Sequence, residues 1–388
     1  MTVRVEVQPA VLEWAVRRSG RTEGELWNKS NPRSRFEKWL SGEKHPTYKQ
    51  LQDFARRTYT PFGYLLLGEP VDEPKPIADF RHVAGQEEQQ LSVNLLDVIH
   101  ACQDRLDWWR THRQLTGEPA PSISGVMTLE DKPAVAAASL AEALGWSPEV
   151  RRSAGSWDNA LAELRDRAEA VGVLVVISGV VGANTSRALD VDEFRGFALL
   201  ETGDALVFIN GRDAKAAQIF TLAHELAHVL LAEQGISSLE SNSVLNVETE
   251  SWCNSVAAEM LVPGSEFRTV YERVEFRREA ISDLARHFRV SGQVILGRFR
   301  ELGFIDWDTY FAELVIERAR VAEILESKAE SDGGNFYNSK PVQLSKRFTQ
   351  ELIGSTLEGH TPYSEAFRLL GVKKAATFDN LSEKLGVI

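Results

Sequence analysis

The run Gln218-Ile219-Phe220-Thr221-Leu222-Ala223-His224-Glu225-Leu226-Ala227-His228-Val229-Leu230-Leu231 constrains this chain more than any other stretch. After Gln218, only Thr221, His224, Glu225 and His228 interrupt its apolar character, which predicts a helix buried over most of its circumference. Residues four apart lie on one face of a helix, one turn from each other. His224 and His228 can therefore offer two imidazole nitrogens to one zinc ion, and Glu225 can hold a water beside it. Two imidazoles and a carboxylate are unfavourable to bury without partners. A shared metal ion satisfies all three at once.

An open zinc site of this kind takes a third protein ligand and leaves the fourth position to water. Residues 248–263 supply three carboxylates, Glu248, Glu250 and Glu259. Cys253, Val256, Ala257 and Met260 recur at helical spacing and form the core stripe of that segment. Glu250 precedes Cys253 by three residues, on the same face and one turn nearer the N-terminus. Glu259 follows Val256 by three and is a second candidate. Glu248 is off the face. Cys253 could itself ligate zinc, but it sits at a core position where a small residue serves.

The pentad His224-Glu225-Leu226-Ala227-His228, followed by Glu250-x-x-Cys253-Asn254-x-Val256-Ala257-Ala258-Glu259-x-Leu261-x-Pro263, resembles the ImmA/IrrE family of metallopeptidases. In that family the Glu opening the second motif is the third zinc ligand, which implies Glu250 here. Residues 193–200 and 205–210 look like the family's two strands before the active-site helix, and 281–305 like its closing helical segment. The resemblance covers roughly 155–305. It departs at Cys253, where Ala is usual, and at Val256, where Phe is usual. It implies a zinc-dependent endopeptidase whose substrate is a regulatory protein, often a repressor whose cleavage derepresses genes. His224, His228 and Glu250 would hold Zn2+. Glu225 would take a proton from the attacking water and pass it to the leaving amine. His82, His287 and Tyr271 could stabilise the oxyanion, with no motif behind any of them. The competing class is a transcription factor or antitoxin with a structural or sensory metal site. Glu225 weighs against it, since a closed site has no use for that residue.

Composition fits such a regulator. A chain of 388 residues suggests two or three domains. With 43% apolar and 26% charged residues it is an ordinary soluble globular composition. No basic start with an apolar stretch marks a secretion signal, and no run approaches about 18 apolar residues, so neither export nor membrane insertion is expected. Cys102 and Cys253 are far apart and in no redox or metal spacing, which suits a reducing cytoplasm. The net charge of -12 conceals an asymmetry. Residues 1–70 carry 12 Lys/Arg and 8 Asp/Glu, or +4; the remaining 318 carry 32 and 48, or -16. A small basic module on an acidic body is the pattern of a nucleic-acid-binding appendage.

That module reads as five short helices. The first spans 9–19 and ends at Gly20. Thr22 and Glu25 form a capping box for a second helix reaching about Lys29. Asn31-Pro32 opens a third at its first position, with Phe36, Trp39 and Leu40 inward. Pro46-Thr47 opens a fourth with Leu51, Phe54 and Ala55 buried, and 61–67 forms a last turn. The order, and the phrase Phe36-Glu37-Lys38-Trp39-Leu40-Ser41-Gly42-Glu43-Lys44-His45-Pro46-Thr47, resembles the XRE, or lambda-repressor-like, helix-turn-helix family. The resemblance implies duplex DNA as a partner, with Asn31, Arg33, Ser34, Arg35 and Lys38 approaching it. Arg and Lys contacts to phosphate could bind with little sequence preference. The alternative is a module that binds the protein substrate.

Residues 69–76 form a Pro-rich acidic linker, and 77–81 an extended anchor. Helices are expected at 91–114, with Trp108 and Trp109 packing into a core, and at 135–144 and 157–171. Strands at 173–177, 195–201 and 206–210 form a small sheet on the His224 helix, with 195–201 as an exposed edge for pairing with substrate backbone. Residues 281–303 look like a second helix-turn-helix made basic by Arg286, Arg289, Arg298 and Arg300, but belong with the peptidase region. A charged helix at 315–328, a break at 331–334 and a tail with helices at 342–357 and 363–370 complete the chain. The tail is expected to be a docking or oligomerisation element. The expectation is therefore a mainly α chain with a small β-sheet (α+β): a helix-turn-helix at 1–70, a helical connection at 71–154, a zincin-like domain at 155–305 and a helical extension at 306–388.

Overall fold

The computed structural model describes residues 3–73, 91–233, 235–237, 247–272, 276–328 and 343–387. The chain divides into two compact units, the described residues of the first being 3–73 and 91–100 and those of the second beginning at Ala101. The expected linker falls partly, and the anchor at 77–81 wholly, outside the described residues. The architecture is mainly α with a small sheet, as its hydrophobic patterning predicts.

The first unit holds α1 (Pro9–Ser19), α2 (Glu23–Leu26), α3 (Arg33–Leu40), α4 (Tyr48–Arg57) and a 3-10 turn (Phe62–Leu66). Gly20 ends α1 in the left-handed conformation, at φ 60°, where glycine meets no Cβ clash. Thr22 and Glu25 cap α2 reciprocally, and Thr47 with Gln50 does the same for α4. Phe36, Trp39, Leu51 and Phe54 are buried together, Phe36 stacking on Phe54 at 5.6 Å. Leu40, expected inside, is half-buried.

Two boundaries differ from expectation. The second helix ends at Leu26 rather than near Lys29, and the third starts at Arg33 rather than at Asn31. Between them, Asn28 Oδ1 accepts hydrogen bonds from the backbone N–H groups of Ser30 and Asn31, both at 3.0 Å. An Asn side chain that closes a turn competes with helix formation. Pro32 further disfavours helical geometry for Asn31 before it.

In the second unit, α6 (Pro133–Ala143), α7 (Pro148–Ser153) and α8 (Trp157–Ala170) lead into β1 (Leu174–Ser178). A small hairpin follows, β2 (Val180–Val181) with β3 (Asn184–Ala188), then β4 (Gly196–Glu201) and β5 (Asp204–Asn210). The motif helix is α9 (Lys215–Leu231), followed by β6 (Gly235–Ser237) and α10 (Val247–Leu261). After α10 come α11 (Gly264–Val270), α12 (Glu279–Phe288), α13 (Gly292–Glu301) and α14 (Trp307–Lys328). The helix between residues 93 and 116, α5 (Val93–Thr116), crosses the division between the units. The hairpin β2–β3 and the short helix α7 were not foreseen. The residues of β3 are polar and lack an alternating apolar pattern.

The four-stranded sheet runs β1-β5-β4-β6. β1 lies parallel to β5, Val176 opposite Phe208. β4 and β5 form an antiparallel hairpin, turned at Thr202 and Gly203 with φ of 48° and 89°. The expected edge strand 195–201 is not an edge along its first half. β6 pairs antiparallel with it, Gly196 opposite Ser237 and Ala198 opposite Gly235. A three-residue strand with no alternation to mark it is invisible to periodicity, which explains the miss. The sheet, α8 and α10 surround α9, and Leu222, Ala223, Leu226, Ala227 and Val229 join the core there.

The tail forms α15 (Lys346–Leu357), α16 (Tyr363–Leu370) and an unforeseen α17 (Ala375–Lys384). It docks on its own unit. The Glu169 carboxylate accepts the backbone N–H groups of Lys346 (3.3 Å) and Arg347 (3.1 Å), completing the first turn of α15. Arg105 donates to the Leu369 carbonyl and the Trp108 indole to Thr361 Oγ1. Trp109 is buried, so both tryptophans serve packing, as expected. In α12 and α13 the arginines do not share one exposed face. Arg298 is buried in ion pairs with Glu259 and Glu301, and Arg300 lies over the Trp307 ring at 4.3 Å.

Candidate metal centre

α9 is apolar nearly all round, and His224 and His228 are buried on it at 4% and 1% exposure. Its C-terminal carbonyls have partners. Val229 and Leu230 accept backbone hydrogen bonds from Gly125 (3.0 Å) and Met127 (3.0 Å), and Ala232 closes the helix in the left-handed conformation. The loop at 125–127 thus holds the end of the helix that carries His228. α10 is fixed beside it by Cys253, Val256 and Ala257 in the core and by the Trp252 indole donating to the Asp131 carbonyl at 2.8 Å.

This packing brings His224, His228 and Glu250 together. The two Nε2 atoms are 3.2 Å apart. His224 Nε2 lies 3.3 Å from Glu250 Oε2, and His228 Nε2 lies 3.3 Å from Glu250 Oε1. Tetrahedral zinc with bonds of about 2.0–2.1 Å sets its donors roughly 3.3–3.4 Å apart. The donor set and its spacing therefore fit zinc. Burial disfavours charge on Glu250, but the two imidazoles against its oxygens outweigh this and hold the carboxyl far below the usual range. Burial likewise opposes charge on His224, yet bonding to Glu250 and the nearby Glu225 carboxylate push that imidazole upward. Two buried carboxylates beside two imidazoles favour a cation between them.

Glu225 is wholly buried beside the pair. Its Oε1 sits against the backbone at the start of β4, where a Cβ on Gly196 would come within 2.9 Å of it. Gly196 carried no signal as a site residue in the sequence, because its proximity to Glu225 comes from the packing of β4 on α9. Asn254 was also passed over. It stands one turn beyond Glu250, exposed, and its side chain bonds to His224. The i+4 step from Glu250 was a signal that could have found it.

The remaining candidates lie elsewhere. Glu248 is exposed. Glu259 is engaged by Arg298 and by the Gly264 N–H at 3.1 Å. Cys253 is buried in the core, its thiol pushed up by burial and by the Glu250 and Glu225 charges. His287 Nε2 bonds to Glu266 at 3.1 Å, and the Tyr271 ring packs on Phe299 at 4.9 Å. His82 lies outside the described residues. In the first unit, Arg33, Ser34 and Lys38 are exposed, but Asn31 is 8% exposed. Arg33 pairs with Glu23 and Glu37, Lys38 with Glu43, and Arg35 donates to the Ser30 carbonyl. Burial takes Asn31 out of any surface contact in this conformation.

Comparison with known families adds two matches. Residues 344–384 match a domain of unknown function (DUF8813). Residues 168–300 match the Peptidase M78 family, described as an IrrE N-terminal-like domain. No curated protein and no solved structure matches the chain. Among the described residues no helix is long and apolar enough to cross a membrane. The stretch that carries His224, Glu225, His228 and Glu250, together with the sheet beneath them, is thus similar to the IrrE N-terminal-like peptidases.

Proposed function

We propose that the second unit is a zinc-dependent endopeptidase acting on a regulatory protein. The observation that carries this reading is the convergence of His224, His228 and Glu250, the two Nε2 atoms 3.2 Å apart and each 3.3 Å from one oxygen of Glu250, beside the second, separate carboxylate of Glu225. His224, His228 and Glu250 would hold zinc, which when bound acts as a Lewis acid and makes water a nucleophile near neutral pH. Glu225 takes the proton of the attacking water and delivers it to the departing amine. The backbone at Gly196 keeps that carboxylate in place. A purely structural site would need a closing fourth ligand and would have no role for Glu225. With β4 covered along Gly196–Ala198, the outer strand beside the centre is β6. Main-chain pairing of a substrate there would bind a protein while tolerating varied side chains.

The test is incubation of the purified chain with repressors encoded nearby, with and without chelator. Chelator-sensitive cleavage is expected. Metal-loaded protein that cleaves none of them, nor any unstructured protein, would favour the sensory reading.

A second reading concerns the first unit: we infer that it binds duplex DNA through α3. Support comes from the charge of +4 over residues 1–70 and from the exposed Arg33, Ser34 and Lys38. The ion pairs that occupy Arg33 and Lys38 lie on the surface, where such pairs are weak, so phosphates can displace them.

A further inference from the structure

α14 is built the wrong way round for a helix that packs only on its own domain. Its inner face buries Glu313 and Glu317, which are partnered by Arg278 and Arg320. Its outer face is mostly apolar. Trp307, Phe311, Val315 and Ile316 are 55%, 57%, 69% and 42% exposed, and Ala312 and Ala319 lie on the same side. At about 100° per residue, Val315 stands near the middle of this face. Asp308 and Arg318 stand on the same face, about 20° and 60° to either side of Val315 at this spacing, and both are exposed. An exposed, mostly apolar face of this kind marks an interaction surface.

The occupant is legible in the order of the residues. We propose that this face binds the same face of a second copy of the chain, antiparallel, about a two-fold axis level with residue 313. A closed two-fold contact requires a self-complementary surface. Reversal about residue 313 sets Phe311 level with Val315 of the other copy and bulky Trp307 level with small Ala319. The same register sets Asp308 level with Arg318, twice by symmetry, each about 7.5 Å from the axis at 1.5 Å per residue. A parallel pairing would instead set Asp308 beside Asp308 and Arg318 beside Arg318, like charge against like. One helix pair makes a small interface, so association in the micromolar range is expected.

The experiment is sedimentation equilibrium and light scattering of the full chain from about 1 to 200 μM, a range spanning weak association. Wild type should shift reversibly from monomer to dimer. Val315→Asp should raise the dissociation constant at least about 100-fold, because each dimer then buries two further carboxylates, neither with a partner of opposite charge. Its melting temperature should hold, since Val315 is exposed. Asp308→Arg should weaken the dimer several-fold, and adding Arg318→Asp should restore it. A wild type that stays monomeric throughout overturns the proposal. So does a dimer indifferent to Val315→Asp, which places the contact elsewhere. Failure of the double charge swap to recover what the single swap loses overturns the antiparallel register.

Discussion

A methyl group on Gly196 would stand 2.9 Å from Oε1 of Glu225 and 2.7 Å from Cγ2 of Thr221. The first residue of β4 and the carboxylate proposed as general base are therefore in direct backbone-to-side-chain apposition. Glycine is required there by space rather than by conformation, since its φ lies outside the left-handed region.

Gly196→Ala should keep zinc and lower kcat on the order of a hundredfold, because a displacement of about 1 Å at a reacting group can cost that much. KM should change little. Steady-state kinetics with metal analysis and a melting curve check it. Thr221→Ser in the same background removes one clash and leaves those with Glu225 and with the Phe208 carbonyl oxygen, also 2.9 Å away. Full recovery of rate in that double variant would show that Thr221, not Glu225, imposes the glycine.

His224→Ala, His228→Ala and Glu250→Ala should each abolish stoichiometric zinc binding, measured by elemental analysis after dialysis. Full zinc in Glu250→Ala would remove Glu250 from the centre. The replacement would then be Cys253, one turn away, since Glu259 is held by Arg298.

Glu225→Gln should retain zinc and fold while cleavage falls by about 10²–10⁴, the usual contribution of a general base. Wild-type turnover of a validated substrate by this variant would rule out Glu225 as the proton acceptor.

The buried Arg151 donates to both oxygens of Glu266, at 2.6 and 2.7 Å, and packs over Phe288 at 4.9 Å, tying α7 to α11 and α12. Burial raises the Glu266 carboxyl, but Arg151 and then His287 outweigh it, so the net shift is downward from 4.5. A depressed folded value means that the stabilisation is present above about pH 4.5 and is lost as pH falls through the folded value. Arg151→Met should destabilise by roughly 1.5–3 kcal/mol at pH 7, the range for lost hydrogen bonds to a charged group, since Glu266 is only half-buried and keeps His287. The difference from wild type should shrink below pH 4.5. Urea melts at several pH values measure this, and a difference independent of pH would reject the electrostatic account.

DNA binding by the full-length chain should fall steeply with salt. Arg33→Ala with Arg35→Ala should weaken it on every sequence and flatten the salt slope by about one unit per lost phosphate contact. Fluorescence anisotropy on genomic duplexes, its own promoter included, is the measurement. No binding to any duplex at low salt, together with binding of the cleaved protein by the first unit, would favour a substrate-recruiting module.

The candidate metal ligands were legible because they depend on local periodicity. Two histidines four apart on an apolar run, and a carboxylate one turn before a core stripe, need only helical geometry to be read. Helix stops at Gly20 and Gly371 were equally local, as both sit at positive φ, at 60° and 65°. The Asn28–Asn31 turn is just as local, yet it was missed. Its side-chain bonds competed with a helix that the spacing alone favoured.

By itself, the sequence determined that α9 would be a buried helix, which two nitrogens would share one face, and that Glu250 would follow on a second helix. Only the tertiary structure decided that β6 would cover β4, that Gly196 would touch Glu225, that Asn31 would be buried and that Arg298 would take Glu259 away from the centre. The division has a physical basis. Helical periodicity acts over four residues and is written in the order of side chains. Strand pairing and side-chain apposition join residues far apart in the chain and depend on how whole faces pack.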